Sequence, residues 1–504
     1  MNNQTEGHRG FEALMTCVEN LRNDLGRVSV WYNPSALPPP ATHLLGDELM
    51  NSPSQKFPEK PYGQQHHVDT AHIAPVLRQY AEPLPELDSP DFAKLFDRYA
   101  DARVVMIGEA SHGTRDFYRT RAAITQGLIE RHGFNIVAVE ADWPDAGHVD
   151  QYVRGVAHSA WKRHIFSRFP TWMWRNSEVK AFAHWLHQYN HQQVPDQRVE
   201  FRGLDVYSLR NSIHEVLGYL DRVDPRLAHE ARRRYGCLTP WQDDPALYGH
   251  FVERAGVMPC EQPVVEQLNA MLTEQLAGLI RDDEAFFNAT QNARVVMAAE
   301  QYYRAIYRGS TASWNLRDRH MFDTLRALLE HRGPQAKAVV WAHNSHIGNA
   351  GATEMGWKGQ FNIGQLCRSA FGRDVVLIGM ATDRGQVAAA DDWDGEMLIK
   401  DVRPSLPDSW EHQFLKAGVA ASLTDWRDPQ RKVLRSVLSA PLLERAIGVI
   451  YRPESERFSH YFESMLAEQF DAMIWIEQTT PVTALPLPKS QQLEPEDETY
   501  PFGV

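Results

Sequence analysis

The sequence predicts an α/β fold: a mostly parallel central sheet flanked by helices, with a helical insertion forming a lid over the carboxyl ends of the strands. Three observations predict it. Apolar runs of strand length alternate with helical patterns from about Phe92 onward. The stretch 206–336 carries helical spacing and no strand run. Acids and imidazoles follow directly on several of the apolar runs, where ligands bind in open α/β sheets.

Residues 1–90 read as a poorly defined N-terminal extension or linker. One amphipathic pattern (Phe11, Leu14, Met15, Val18, Leu21) precedes proline-rich and polar text, NPSALPPPATH and NSPSQKFPEKPYGQQHH. The main domain is expected over 91–487 and a C-terminal tail over 488–504. Within the domain the strand candidates are RVVMIG (103–108), NIVAVEA (135–141), VEFRGLD (199–205), KAVVWAH (337–343), DVVLIGM (374–380), AIGVIY (446–451) and AMIWIE (472–477). In the insertion, Leu268, Leu272, Leu276 and Leu279 keep helical spacing, as do Val295, Ala299, Tyr303 and Ile306.

Composition narrows the functional classes. The 504 residues are 43% hydrophobic and 23% charged, enough for a sizeable core. A formal net charge of −13 argues against nucleic-acid and anionic-membrane partners, which need clustered Lys and Arg. No run approaches the roughly 18 apolar residues of a membrane span, and MNNQTEGHRG is not a signal sequence. Cys17, Cys237, Cys260 and Cys367 are scattered and read as free thiols of a reducing compartment, so the expected location is cytoplasmic.

The strand ends carry the chemistry. Glu109 and His112 follow the first run, Glu140 and Asp142 the second, Asp205 and Tyr207 the third, His343 and His346 the fourth. A lone acid at such a place is most often a helix N-cap, and a lone histidine a hydrogen-bonded core residue. Acids or imidazoles at four strand ends make coincidence the weaker account. Other chemistries lose support: GxSxG, HExxH, Walker A and GxGxxG are all absent. Water is then the natural nucleophile, with a neutral histidine as base and arginine to steady an oxyanion, which suits cleavage of an ester. Two alternatives use the same rim. In one, Glu109, His112, Glu140, His343 and His346 hold a divalent metal; in the other, His and Tyr bind haem or another large ligand.

GEASHGTRDFYRTR (108–121), IVAVEADWP (136–144) and WAHNSHIG (341–348) together resemble the erythromycin esterase family. GVIYRPESERFSHYFE and QFDAMIWIEQT extend the resemblance, which covers roughly 91–487. It implies a hydrolase without a metal cofactor, acting on a small-molecule ester, in the family a macrolactone. It implies His112 as general base with Glu109 beside it, and site positions at Arg121, Glu140, His343 and His346. Arg317, in SWNLRDRH, resembles the family's arginine from the helical insertion. Catalytic work is thus expected of His112, Glu109, Glu140 and His343, and substrate binding of Arg121, His346, Arg317 and Asp205. Arg115 and Arg119 are expected to be structural, and Ser111 to be a hydroxyl that caps the following helix rather than a nucleophile.

Overall fold

The computed structural model describes residues 70–487, apart from 159–164, 243 and 277–282. They fall within one compact unit, Phe57–Val504. The amphipathic pattern at 11–21, Cys17, Leu279 and the tail 488–504 lie outside the described residues. Strands are β1 (Glu82–Pro83), β2 (Val104–Ile107), β3 (Ile136–Asp142), β4 (Glu200–Asp205), β5 (Ala338–Trp341), β6 (Val375–Ala381), β7 (Arg384–Ala389), β8 (Leu398–Val402), β9 (Ala421–Asp425), β10 (Leu442–Arg445), β11 (Tyr461–Ser464), β12 (Ala472–Ile476) and β13 (Gln478–Thr479). The main sheet runs β1-β9-β12-β6-β2-β5-β3-β4. From β12 to β4 every pair is parallel, and β9 and β1 close one edge antiparallel.

The apolar runs form central strands because both faces are covered. Along β2, Val105 and Ile107 enter one core with Phe117, Ile124 and Leu128, while Val104 and Met106 enter the other with Met321, Leu325 and Leu329. Each such buried side chain contributes about 1.5–3 kcal/mol. The helix Ser310–Arg332 therefore forms part of a sheet-covering layer. The remaining described part of the insertion is helical too, including Leu209–Val223, Glu261–Leu276 and Glu284–Ala305.

Three expectations need correction. AIGVIY is not a ladder strand: Gly448 separates two isolated bridges, Ile447 with Ser111 and Ile450 with Ala390, so the run ties the loop after β2 to the end of β7. The fold begins before residue 91, since Ile73 and Leu77 of the helix Ile73–Tyr80 are fully buried and β1 pairs with β9. The cysteines are not all free thiols. Cys237 and Cys260 form a disulfide with Cα atoms 6.0 Å apart, and Cys367 is free and buried. Thiol content consequently gives no support to a reducing compartment. Among the described residues, no helix is long and apolar enough to cross a membrane.

A buried polar junction lies where β10 meets the segment after β5. Glu444 accepts from Asn344 Nδ2 at 3.4 Å, and the side chains of Gln469 and Ser464 also act on its carboxyl. Burial, then the neighbouring Glu411, pushes the Glu444 carboxyl up to about 8. It therefore keeps its proton in the fold at neutral pH, whereas the unfolded chain loses it near 4.5. Between those values the folded state binds more protons, so this group costs stability as pH rises from 4.5 to 8, then levels off. Glu444→Gln removes that loss. Its melting temperature relative to wild type should climb across this window, by an amount on the order of a few kcal/mol in stability. A difference that stays flat with pH would mean the folded carboxyl is ionised.

Candidate active site

Register brings the four strand ends to one rim. Ile107 pairs with Trp341, Val139 with Trp341, and Val139 with Gly203. The chain passes from β2 to β3 and later inserts β5 between them, so the crevice at β2, β5 and β3 is a topological switch point. A bulge in β3 between Val139 and Asp142 re-aims Glu140 toward this crevice. Gly203 permits it: a Cβ there would meet the Asp142 carbonyl oxygen at 2.5 Å. Gly113 has a similar reason, because the Ala388 backbone packs directly against its Cα while Ala388 and Val482 both donate N–H to its carbonyl.

His112 sits in the loop between β2 and the helix Arg115–His132. Its Nδ1 lies 2.9 Å from Glu109 Oε1. The other oxygen of Glu109 accepts from Arg121 Nη2 at 2.7 Å, and both side chains of this ion pair are fully buried. The Arg121 guanidinium is packed over the rings of Tyr118 and Trp341, at 4.4 and 5.3 Å. A carboxylate facing Nδ1 fixes the proton there, so the Nε2 lone pair is the free one. Ser111 Oγ pairs with Thr114 Oγ1; the helix N-cap is Thr114, which makes no side-chain capping bond, so the expected Ser111 cap is not formed. Arg115 and Arg119 are solvent-facing, 3.5 and 3.9 Å from Glu178 and Asp88.

The His343 ring centroid is 4.9 Å from that of His112. His343 Nδ1 accepts the Ser345 backbone N–H at 3.2 Å, which places its proton on Nε2. Among the described residues nothing completes a hydrogen bond to that Nε2, although the Ala110 carbonyl is close enough to act on the ring. Burial, then the neighbouring His112, depresses the His343 pKa well below its usual value. His343 is accordingly neutral across the physiological range.

Behind His343 lies a charged lattice. Glu140 Oε2 accepts the His343 backbone N–H at 2.8 Å, and Glu140 Oε1 accepts from Arg317 Nη2 at 2.8 Å. Burial opposes the charge on Glu140, but His346 and Arg317 hold its carboxyl well below the usual carboxylate range. Arg317 also donates Nε–H and Nη2–H to the two oxygens of Asp205, at 2.9 and 2.7 Å. His346 stacks on Trp314 at 4.5 Å and meets Asp318 through Nδ1 at 2.9 Å. Burial works against its charge, yet Asp318 and Glu140 outweigh it and raise its pKa to about 9. Arg317 Nη1, 2.9 Å from Nε2, pulls the other way because it donates only to a neutral ring; the two carboxylates prevail.

These groups line one end of a cavity of about 180 Å3, whose walls include Phe166, Phe169, Trp174, Tyr207, Trp393 and Val449. Six expected site residues face it: His112, Glu140, Asp205, Arg317, His343 and His346. Glu109 and Arg121 stand behind it. The insertion supplies Tyr207, Trp314 and Arg317; the aromatic wall comes from 166–174 and Trp393. Sequence reading missed Asp318, Ser345 and this wall. Asp318 adjoins Arg317 in LRDRH and was within reach, whereas tryptophans in PTWMW and DDWDG carry no chemical signal.

The alternative metal ligands do not converge. Both oxygens of Glu109 and of Glu140 are engaged by protein donors, and His343 Nδ1 faces an N–H. Among the described residues, no group of three or more His, Cys, Asp or Glu is placed to hold a metal ion.

Fold and site define an α/β protein with paired imidazoles and an arginine–carboxylate lattice at the carboxyl edge of a parallel sheet. The erythromycin esterase family model matches residues 129–479, and the chain belongs to that family, whose members are hydrolases acting on esters. The match begins after His112, so Glu109, His112 and Arg121 join the matched residues through geometry. The chain is 21% identical over 431 residues to the putative hydrolase YbfO of Bacillus subtilis (strain 168), covering 80% of this chain and 90% of the relative. It is 22% identical over 342 residues to erythromycin esterase type II of Escherichia coli, covering 60% and 75%. The solved structure of a mutant erythromycin esterase, EreC, in its open conformation shares the fold with a TM-score of 0.59 at 15% identity, covering 79% of this chain and 98% of that one.

Proposed function

We propose that the protein hydrolyses a carboxylic ester, with water activated by His112 and with neither a metal nor an acyl-enzyme. The observation that carries this reading is the buried Arg121–Glu109–His112 series, which leaves one imidazole lone pair facing the cavity beside a second, neutral imidazole. His112 Nε2 takes a proton from water as its oxygen attacks the ester carbonyl. The oxyanion that develops accepts a hydrogen bond from His343 Nε2–H. The tetrahedral species then collapses, and the departing alkoxide takes the proton back from His112. Neutral His343 suits this role because its Nε2–H, held by the Ser345 contact to Nδ1, lies beside the cavity where charge develops.

Arg121 acts by holding Glu109, and Arg317 by holding Glu140 and Asp205. Both were expected at the substrate; their guanidinium groups are committed to carboxylates, so we assign them positioning roles. Glu140 in turn fixes the backbone of His343, and His346 completes that support. The aromatic walls suit the apolar body of an ester and exclude water from the reacting face. A panel of aliphatic, aryl and macrocyclic esters tests the reading. At least one should be cleaved, at a rate unchanged by a strong chelator. Failure to turn over any of them, or loss of turnover on chelation, would remove respectively the esterase reading or its metal-free form.

A further inference from the structure

The end of the sheet remote from His112 carries a second concavity, of about 900 Å3. It lies where β6 and β12 begin and antiparallel β9 ends, near Val375, Ala472 and Asp425. Strands of five to seven residues separate it from the catalytic rim, about 16–23 Å at the usual rise per residue.

Its charge is unusual for a chain with a formal net charge of −13. Five cationic side chains, Arg368, Arg373, Arg427, Lys432 and Arg435, face three carboxylates, Asp428, Glu468 and Asp471. Among the described residues, Asp471 neutralises Arg368 alone of the five. Asp428 accepts the Gln430 N–H and Glu468 accepts the Ser439 hydroxyl, so both are occupied by neutral donors. Arg427 donates to the Arg373 carbonyl at 3.3 Å and lies 5.8 Å from the Tyr99 ring. Arg435 donates to the Trp426 carbonyl at 3.2 Å. Among the described residues, Arg373, Arg427, Lys432 and Arg435 have no carboxylate within ion-pair distance.

Carbonyl contacts hold the two half-buried guanidinium groups in place without cancelling their charge. A pre-positioned, unneutralised set of cations in a concave site is what a compact polyanion needs. The cations come from two separate segments, before β6 and after β9, so a ligand with more than one anionic group can engage both. We propose that this groove binds a ligand carrying two or more linked phosphate groups, and that it is a site separate from the esterase cavity.

Inorganic pyrophosphate is the probe, titrated calorimetrically into the full chain. Saturable 1:1 binding is expected, with orthophosphate at least about tenfold weaker. Lys432→Gln with Arg373→Gln, both at exposed positions, should weaken pyrophosphate by about tenfold, and adding Arg435→Gln should weaken it further. Melting temperature and turnover of any ester the wild type cleaves should be unchanged in the double variant. Because the readout is binding, failure of the esterase reading leaves this test intact. No saturable binding, equal affinity for orthophosphate, equal affinity in the double variant, or equally effective competition by a poly-glutamate peptide would each overturn the proposal.

Discussion

His112→Asn should lower kcat/KM by about 10²- to 10⁴-fold on every ester the enzyme cleaves, the usual contribution of a general base. The melting temperature should hardly move. His112 lines the cavity rather than the core, and Asn leaves the buried Glu109–Arg121 ion pair in place. The loss should fall mainly on kcat, because proton transfer occurs only on the way to the transition state. Full turnover in the variant on all those esters would move the base elsewhere, with His343 the nearest imidazole.

Arg121→Met should have the opposite profile, a stability effect first and an activity effect through it. The variant strands a fully buried Glu109 carboxylate with only His112 as polar partner. Removing one member of a buried ion pair typically costs about 3–5 kcal/mol. Pairing it with Glu109→Gln should recover much of that loss, since two neutral side chains replace two charges. Activity should not recover, because the amide no longer supplies a carboxylate to His112 Nδ1. If Arg121→Met unfolds at the wild-type temperature, the pair is not what holds the loop after β2.

The fold was legible where burial is two-sided. Val104–Ile107, Ile136–Val139, Ala338–Trp341 and Val375–Ala381 are almost wholly apolar, and such runs have few structural options. Strands exposed on one face were not legible: β7 and β8, RGQVAA and LIKDV, mix polar and apolar residues in a hairpin at the periphery. β9 was missed because ASLTD is short and joins the sheet antiparallel. AIGVIY misled because it joins the fold only through isolated bridges to Ser111 and Ala390, with Val449 and Ile450 just half-buried, not through a ladder.

The site was legible in its residue types but not in their division of labour. Glu109, His112 and Arg121 were close in sequence, and the first turns of one helix bring Arg121 back to Glu109. That Arg317 and Asp205 bind each other was beyond sequence reading, because they lie 112 positions apart. The bulge that aims Glu140 is visible only in the β3–β4 register.

Direct attack by water is the central claim, and a single turnover in ¹⁸O-labelled water tests it most directly. Enzyme in excess over ester, quenched after one cycle, is analysed by mass spectrometry of both the product acid and the protein. The account predicts label in the product acid and none in any side chain. Label in a Ser, Asp or Glu side chain would contradict it, since that pattern requires a covalent intermediate resolved by water.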